Sequence, residues 1–197
     1  MRETVLIAGS SGLIGSFIYN KFKNNHSITG LCNRRNRSAD NFYHLDLTKV
    51  VDIISFCDDL PKFNTLIFLV GLAHKKGKNK ELKLFSLINK KTLINLLSTL
   101  KMKGKIPDKI IFASTISVYG ENIDKNNYNE DSVKNPISPY AFTKLEAENY
   151  LLKNFQINSW ILRFAPVYSS DFLLNIYRRT KVGNFYYKIG NGSKKLS

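Results

Sequence analysis

Near its N-terminus the chain reads Thr4-Val-Leu-Ile-Ala-Gly9-Ser-Ser-Gly12-Leu-Ile-Gly15, an apolar run that ends in glycines three residues apart. The pattern predicts a strand, a tight turn and the opening of a helix. Glycine suits such a turn because it accepts positive φ, and because a missing Cβ lets a pyrophosphate approach the N–H groups at the helix N-terminus. The third glycine lets the helix pack close against the strand. An amphipathic segment, Leu13 to Phe22, follows at once. Gly9, Ser11, Gly12, Leu13, Ile14 and Gly15 are therefore candidate pyrophosphate-binding residues, with a glycine-rich turn that holds no ligand as the alternative.

The rest of the chain alternates between strand and helix signals. Ser27 to Cys32 reads as a second strand and Phe42 to Leu47 as a third, with Asp46 at its C-terminal end. A helix around Val50 to Leu60 is stopped by Pro61, and the apolar run Asn64 to Val70 predicts a strand buried on both faces that ends at Gly71. One long helix is expected from about Lys80 to Lys103, with apolar positions at Leu84, Leu87, Ile88, Leu93, Leu96 and Leu97 and with Asn89 inside it. Lys109 to Thr115 is the fifth strand. Such alternation predicts an α/β fold built on a doubly wound parallel sheet of the Rossmann type. Ligands bind such sheets at the C-terminal ends of the strands, which puts the Gly9 turn, Gly71 and Thr115 on one rim.

At the end of the second strand, where a carboxylate would accept from the ribose 2′-hydroxyl of NAD, stands Asn33-Arg34-Arg35-Asn36-Arg37. Forked guanidinium groups suit a 2′-phosphate, so Arg34 and Arg35 favour NADP over NAD, against a plain basic loop as the alternative. The net charge of +15 raises nucleic acid as a partner, yet 23 of the 30 basic residues are Lys, spread along the chain together with abundant Asn. That distribution reads as a base-composition bias, and no nucleic-acid partner is expected. A chain of 197 residues with 43% hydrophobic content can bury an ordinary core. Cys32 and Cys57 form no metal or redox spacing, which fits a reducing cytoplasm, and His26, His44 and His74 form no metal-ligand pattern. No apolar stretch is long enough for membrane insertion, and no signal peptide is expected.

The catalytic reading rests on Ser138-Pro139-Tyr140-Ala-Phe-Thr-Lys144, with Ser138 as N-cap and Pro139 at the first helical position. Tyr140 and Lys144 lie on one helical face, where an ammonium can lower the phenol's pKa and hold a ribose hydroxyl. Tyr19/Lys23 and Tyr177/Lys181 share the spacing, but only Tyr140 opens a capped helix shortly after the fifth strand.

These segments, with Phe112-Ala-Ser-Thr-Ile-Ser-Val-Tyr-Gly120 and Leu162-Arg163-Phe-Ala-Pro166-Val-Tyr168, resemble the extended short-chain dehydrogenase/reductases, and within them the NAD(P)-dependent epimerase/dehydratase group acting on nucleotide sugars. The resemblance covers nearly the whole chain. It implies Thr115, Tyr140 and Lys144 as a catalytic triad, Asp46 and Leu47 against adenine, and Pro166 with Val167 along the nicotinamide. Relatives that eliminate water carry Asp-Glu after the triad Thr; Ile116-Ser117 stands there instead, so epimerisation or C4 reduction of a nucleotide sugar is expected rather than dehydration. A non-catalytic NADP(H)-binding remnant or sensor is the alternative. By the same resemblance the dinucleotide-binding domain spans 1–168, and 169–197 is only the beginning of a truncated substrate domain. Slow turnover and self-association, such as a homodimer, are expected to follow, because apolar surface around Phe172, Leu173, Leu174 and Ile176 would lie uncovered.

Overall fold

A computed structural model describes residues 2–33, 41–72, 78–120 and 127–168, together with 181–182 and 185–186. Strand β1 (Thr4–Ala8) is buried along nearly its whole length, which is why its sequence shows no polar alternation. Its side chains still divide between two faces: Leu6 and Ala8 enter the large core, while Val5 and Ile7 join a smaller cluster with Ile28. Helix α1 (Leu13–Phe22) covers that smaller cluster through Ile18 and Tyr19.

Beside β1 lies β2 (Ser27–Cys32), then β3 (Phe42–His44) at the edge. On the other side come β4 (Thr65–Phe68), β5 (Lys109–Thr115) and β6 (Ser159–Phe164), so the sheet order is β3-β2-β1-β4-β5-β6. The pairings β1–β2, β1–β4, β2–β3 and β4–β5 are all parallel. The expected α/β Rossmann architecture is what forms, with chain order reversing between β1 and β4. Helices α2 (Val50–Asp58), α4 (Thr92–Met102) and α5 (Pro139–Phe155) cover the larger core through Ile53 and Cys57, Leu93, Leu96 and Leu97, and Ala147 and Leu151.

Two expectations are corrected. The third strand stops at His44 rather than Leu47, leaving Asp46 in a turn whose carboxylate accepts from both the N–H and the hydroxyl of Thr48. The helix expected over 80–103 is not one regular helix. A 3₁₀ turn (Asn79–Glu81) leads into α3 (Leu82–Ser86), a π-helical turn spans Leu87–Lys91, and only then does α4 begin. Leu84 is exposed and Phe85 takes the buried place. The π turn brings the Asn89 amide into the interior, where its polar bonds offset the poorer helical geometry.

Residues Met1–Arg163 form one compact unit and Phe164–Ser197 a second, of which the hairpin β7 (Lys181–Val182) and β8 (Phe185–Tyr186) is described. Among the described residues no helix is long and apolar enough to cross a membrane.

Candidate active site

The glycine turn is built for close approach. Gly9 has φ +90°, and a Cβ there would come within 3.1 Å of the Leu69 carbonyl carbon. A Cβ on Gly15 would sit 2.4 Å from the Gly9 carbonyl oxygen, so α1 can rest on the turn only because residue 15 has none. Gly12 caps α1 with no side-chain hydrogen bond. The first-turn N–H groups, which no helix can satisfy from within, are therefore left for an anion. Ser10, absent from the sequence reading, is fully buried, and its hydroxyl donates to Leu31 O at 3.0 Å, tying the turn to the end of β2. The free backbone N–H groups and the glycine-lined approach fit a dinucleotide pyrophosphate. Arg34 and Arg35 lie outside the described residues.

Register brings the strand ends together as expected. Ala8 pairs with Phe68 and Phe68 with Phe112, so the residues that follow, Gly9, Gly71 and Thr115, share the C-terminal rim. Thr115 caps a 3₁₀ turn (Ile116–Tyr119) by accepting from Ser117 N, its hydroxyl donates to Ser117 Oγ at 3.2 Å, and the Tyr140 phenol feels that hydroxyl as a neighbour. Ser138 caps α5 by accepting from Ala141 N, which fixes the orientation of the first helical turn and of Tyr140 within it.

Lys144 is almost wholly buried, at 3% exposure. Its ammonium donates to Ala113 O at 2.9 Å and Val70 O at 3.3 Å, stitching β5 to the loop after β4, and it stands 4.6 Å from the centre of the Phe112 ring. Burial pushes its pKa down to about 7, with Glu148 pulling the other way. The Tyr140 phenol lies above its ordinary value because burial outweighs the opposing pull of the neighbouring Thr115 hydroxyl. The expected lowering of the phenol by the Lys144 charge is thus not what this structure displays: the ammonium is directed at two carbonyls, and a lysine held near neutrality carries only part of a charge. Gly71 is a contact point in its own right. A Cβ there would lie 3.1 Å from Lys144 Nζ and 3.3 Å from Asn89 Oδ1.

Asn89 is the site residue that the long-helix reading left without a role. Its Oδ1 accepts from Leu72 N at 2.8 Å and its Nδ2 donates to Thr143 Oγ1 at 3.0 Å, so one side chain joins the loop after β4 to α5. The sequence signal was a polar amide among apolar positions of a helix, where it belongs only if its hydrogen bonds are met. Asp46 lies at the turn after β3, its pKa lowered chiefly by the Thr48 hydroxyl. Leu47 buries its side chain in the core, and its carbonyl accepts from Asn95. Tyr19 packs its ring against Phe42 at 4.4 Å within α1, well away from this rim, and Tyr177 lies outside the described residues. Pro166 and Val167 fall in the second unit.

The arrangement offers an anion cradle, a buried lysine and a Thr and a Tyr hydroxyl on one rim, a set suited to holding a dinucleotide and handling one proton of a neighbouring hydroxyl. Comparison with known proteins identifies the family. The chain is 24% identical over 207 residues to an N-acetyl-α-D-glucosaminyl-diphospho-ditrans,octacis-undecaprenol 4-epimerase of Escherichia coli O157:H7, covering 100% of this chain and 59% of that one. A UDP-glucose 4-epimerase of Thermotoga maritima solved with UDP-glucose superposes with a TM-score of 0.73 at 25% identity, over 84% of this chain and 56% of that one. A UDP-glucuronic acid 4-epimerase of Bacillus cereus in complex with NAD gives a TM-score of 0.69 at 26% identity, over 84% and 57%. The chain spans about half the length of the curated relatives it matches. The family model for the NAD dependent epimerase/dehydratase family matches residues 5–193. With its sheet order, glycine turn and Thr–Tyr–Lys rim, the chain belongs to the NAD-dependent epimerase/dehydratase family.

Proposed function

We propose that this chain carries the cofactor-binding and proton-handling residues of an enzyme that epimerises, or reduces, a carbon of a nucleotide-linked sugar. The observation that carries the reading is buried Lys144 at the sheet rim, with Thr115 at the end of β5 and Tyr140 in the first turn of the capped helix α5 on the same rim. The glycine cradle from Gly9 to Gly15 and the first turn of α1 would hold the pyrophosphate of NAD, Gly71 and Lys144 the nicotinamide ribose, and Asp46 and Leu47 the adenine. NAD, when bound, supplies the hydride acceptor and donor. Tyr140 accepts the proton of the sugar hydroxyl as the neighbouring C–H bond is lost and a carbonyl forms, and it returns that proton on reduction. Thr115 orients the hydroxyl. Reduction to the opposite face gives the epimer, whereas release of the keto sugar, or its supply from outside, gives a C4 oxidoreductase.

Ile116-Ser117 supplies neither an acid nor a base beside Thr115, and Ser117 is itself hydrogen-bonded to the Thr115 hydroxyl, which supports epimerisation or reduction over elimination. Burial holds Tyr140 in its protonated form near neutrality, so reduction of a keto sugar, which consumes that proton, runs best at neutral pH. Oxidation of the hydroxyl quickens as pH rises toward the phenol's elevated value.

The test is incubation with NAD and a panel of UDP-hexoses, with epimer formation followed by proton NMR. The parent should produce the epimer, and Tyr140→Phe should lower the rate by about 10²–10⁴ while leaving NADH affinity nearly unchanged. Tight cofactor binding with no turnover of any sugar would replace this reading with that of a non-catalytic cofactor module. Arg34 and Arg35 carry the proposal that the 2′-phosphorylated cofactor is also taken: calorimetry should show NADPH binding about tenfold tighter than NADH, a preference that Arg34→Ala removes. Light scattering on the same sample tests the proposed homodimer.

A further inference from the structure

Behind the Thr–Tyr pair lies a charged cluster that the proposed reaction does not itself use. Glu148, one turn beyond Lys144 on α5, is fully buried. Arg163, near the end of β6, donates to it through Nη2 at 2.8 Å and through Nε at 3.2 Å to each carboxylate oxygen. The Ser114 hydroxyl, at the residue just before Thr115, donates to the same carboxylate. Arg163 reaches onward, with Nη1 donating to the Tyr119 hydroxyl at 2.6 Å and to Glu130 O at 3.3 Å. Its guanidinium carbon stands 5.0 Å from the centre of the Tyr119 ring, which in turn stacks on Tyr128 at 4.9 Å.

One carboxylate and one guanidinium thus join four pieces of backbone: α5, the end of β5, the end of β6 and the segment that leads into the Ser138 cap. A buried pair need not add net stability, since its desolvation can cancel its attraction, but its forked geometry fixes relative position. The catalytic pair is split across this joint, with Thr115 beside Ser114 on β5 and Tyr140 two turns before Glu148 on α5. We propose that Glu148 and Arg163 are positioning residues that set the register of α5 against β5 and thereby hold the Tyr140 phenol beside the Thr115 hydroxyl. The inference rests on the Thr115–Tyr140 pair being the proton-handling group of the proposed reaction, but its test needs no turnover.

The experiment uses the full chain labelled with ¹³C at tyrosine Cζ, whose shift reports hydrogen bonding of the phenol oxygen. The Tyr140 signal is identified by its disappearance in Tyr140→Phe, and Thr115→Val supplies the displacement caused by removing the Thr115 hydroxyl from beside the phenol. Glu148→Gln keeps the side chain's shape and removes its charge; it should move the Tyr140 signal in the same direction by about half of that displacement, and the Glu148→Gln/Thr115→Val double variant should add nothing beyond Thr115→Val. Cys57→Ala, which loosens the core elsewhere, should lower the melting temperature and leave the signal in place. A folded Glu148→Gln whose Tyr140 signal stays at the parent position overturns the proposal and leaves the cluster a purely structural one. If Glu148→Gln does not fold, Ser114→Ala and Arg163→Lys take its place: displacement in either supports the proposal, and no displacement in both overturns it. Failure of the sugar assay alongside an intact displacement would reject the proposed reaction and leave the positioning role standing.

Discussion

The two halves of the rim are made in opposite ways. On the β1 side the site consists of missing side chains: Gly9 at positive φ, Gly15 against the Gly9 carbonyl, and an α1 N-terminus with no side-chain cap. On the β5–α5 side it consists of added side chains whose polar groups all find partners in the interior, among them Lys144, Asn89, Glu148 and Ser114. On the proposed reading the first half recognises an anion by shape and backbone dipole, and its glycines, Gly9, Gly12 and Gly15, carry no titratable group. The second half is proposed to handle a proton, so it needs titratable groups, and burying those requires a partner for each. Binding half and chemical half therefore differ in how they should respond to mutation and to pH.

The largest effect should come from closing the shape-built half. Gly15→Val places a branched Cβ where even a methyl would lie 2.4 Å from the Gly9 oxygen. Urea denaturation should show a loss of about 3 kcal/mol or more, equal at pH 6 and pH 9, with NADH binding lost as well. A loss that varied with pH would break the contrast between the halves.

Lys144→Met tests the charged half in the opposite direction. In the unfolded chain this lysine titrates near 10.5, and burial brings it to about 7 in the folded protein. Below pH 7 both states hold the proton and the cost of burying the charge is complete. As pH rises toward 10.5 the folded state releases its proton first, and the cost fades. The variant should therefore be more stable than the parent by about 2 kcal/mol at pH 6, with the gain shrinking through pH 8–10, while cofactor binding weakens. Equal stability at every pH would show that the buried amine carries no cost.

Asn89→Leu leaves Leu72 N and Thr143 Oγ1 without their amide partners. A loss of about 1–3 kcal/mol is expected, independent of pH, together with faster amide exchange at Leu72. The smallest change belongs to the adenine end of the shape-built half. Asp46→Asn keeps an acceptor for Thr48 and should cost less than about 1 kcal/mol. The contribution of the parent carboxylate is present above the ordinary aspartate range and is lost as pH falls through its lowered folded value, so parent and variant should converge in acid.

The sequence alone settled the alternation of strands and helices, because the buried strands Thr4–Ala8 and Thr65–Phe68 must be apolar on both faces and the turns between them need Gly or Pro. It also marked Gly9, Gly15, Thr115, Tyr140 and Lys144, since a turn geometry, a helix cap and an i,i+4 spacing are local properties that neighbouring residues specify. Only the fold could decide what acts across the chain. Asn89 reaches Thr143 54 residues away, Arg163 reaches Tyr119 44 residues away, and Lys144 donates hydrogen bonds to carbonyls brought near by strand register, so that burial rather than spacing fixes its charge. A pattern written in single residues records conformational preference; a hydrogen-bonding partner and a local dielectric exist only once distant segments have been brought into contact.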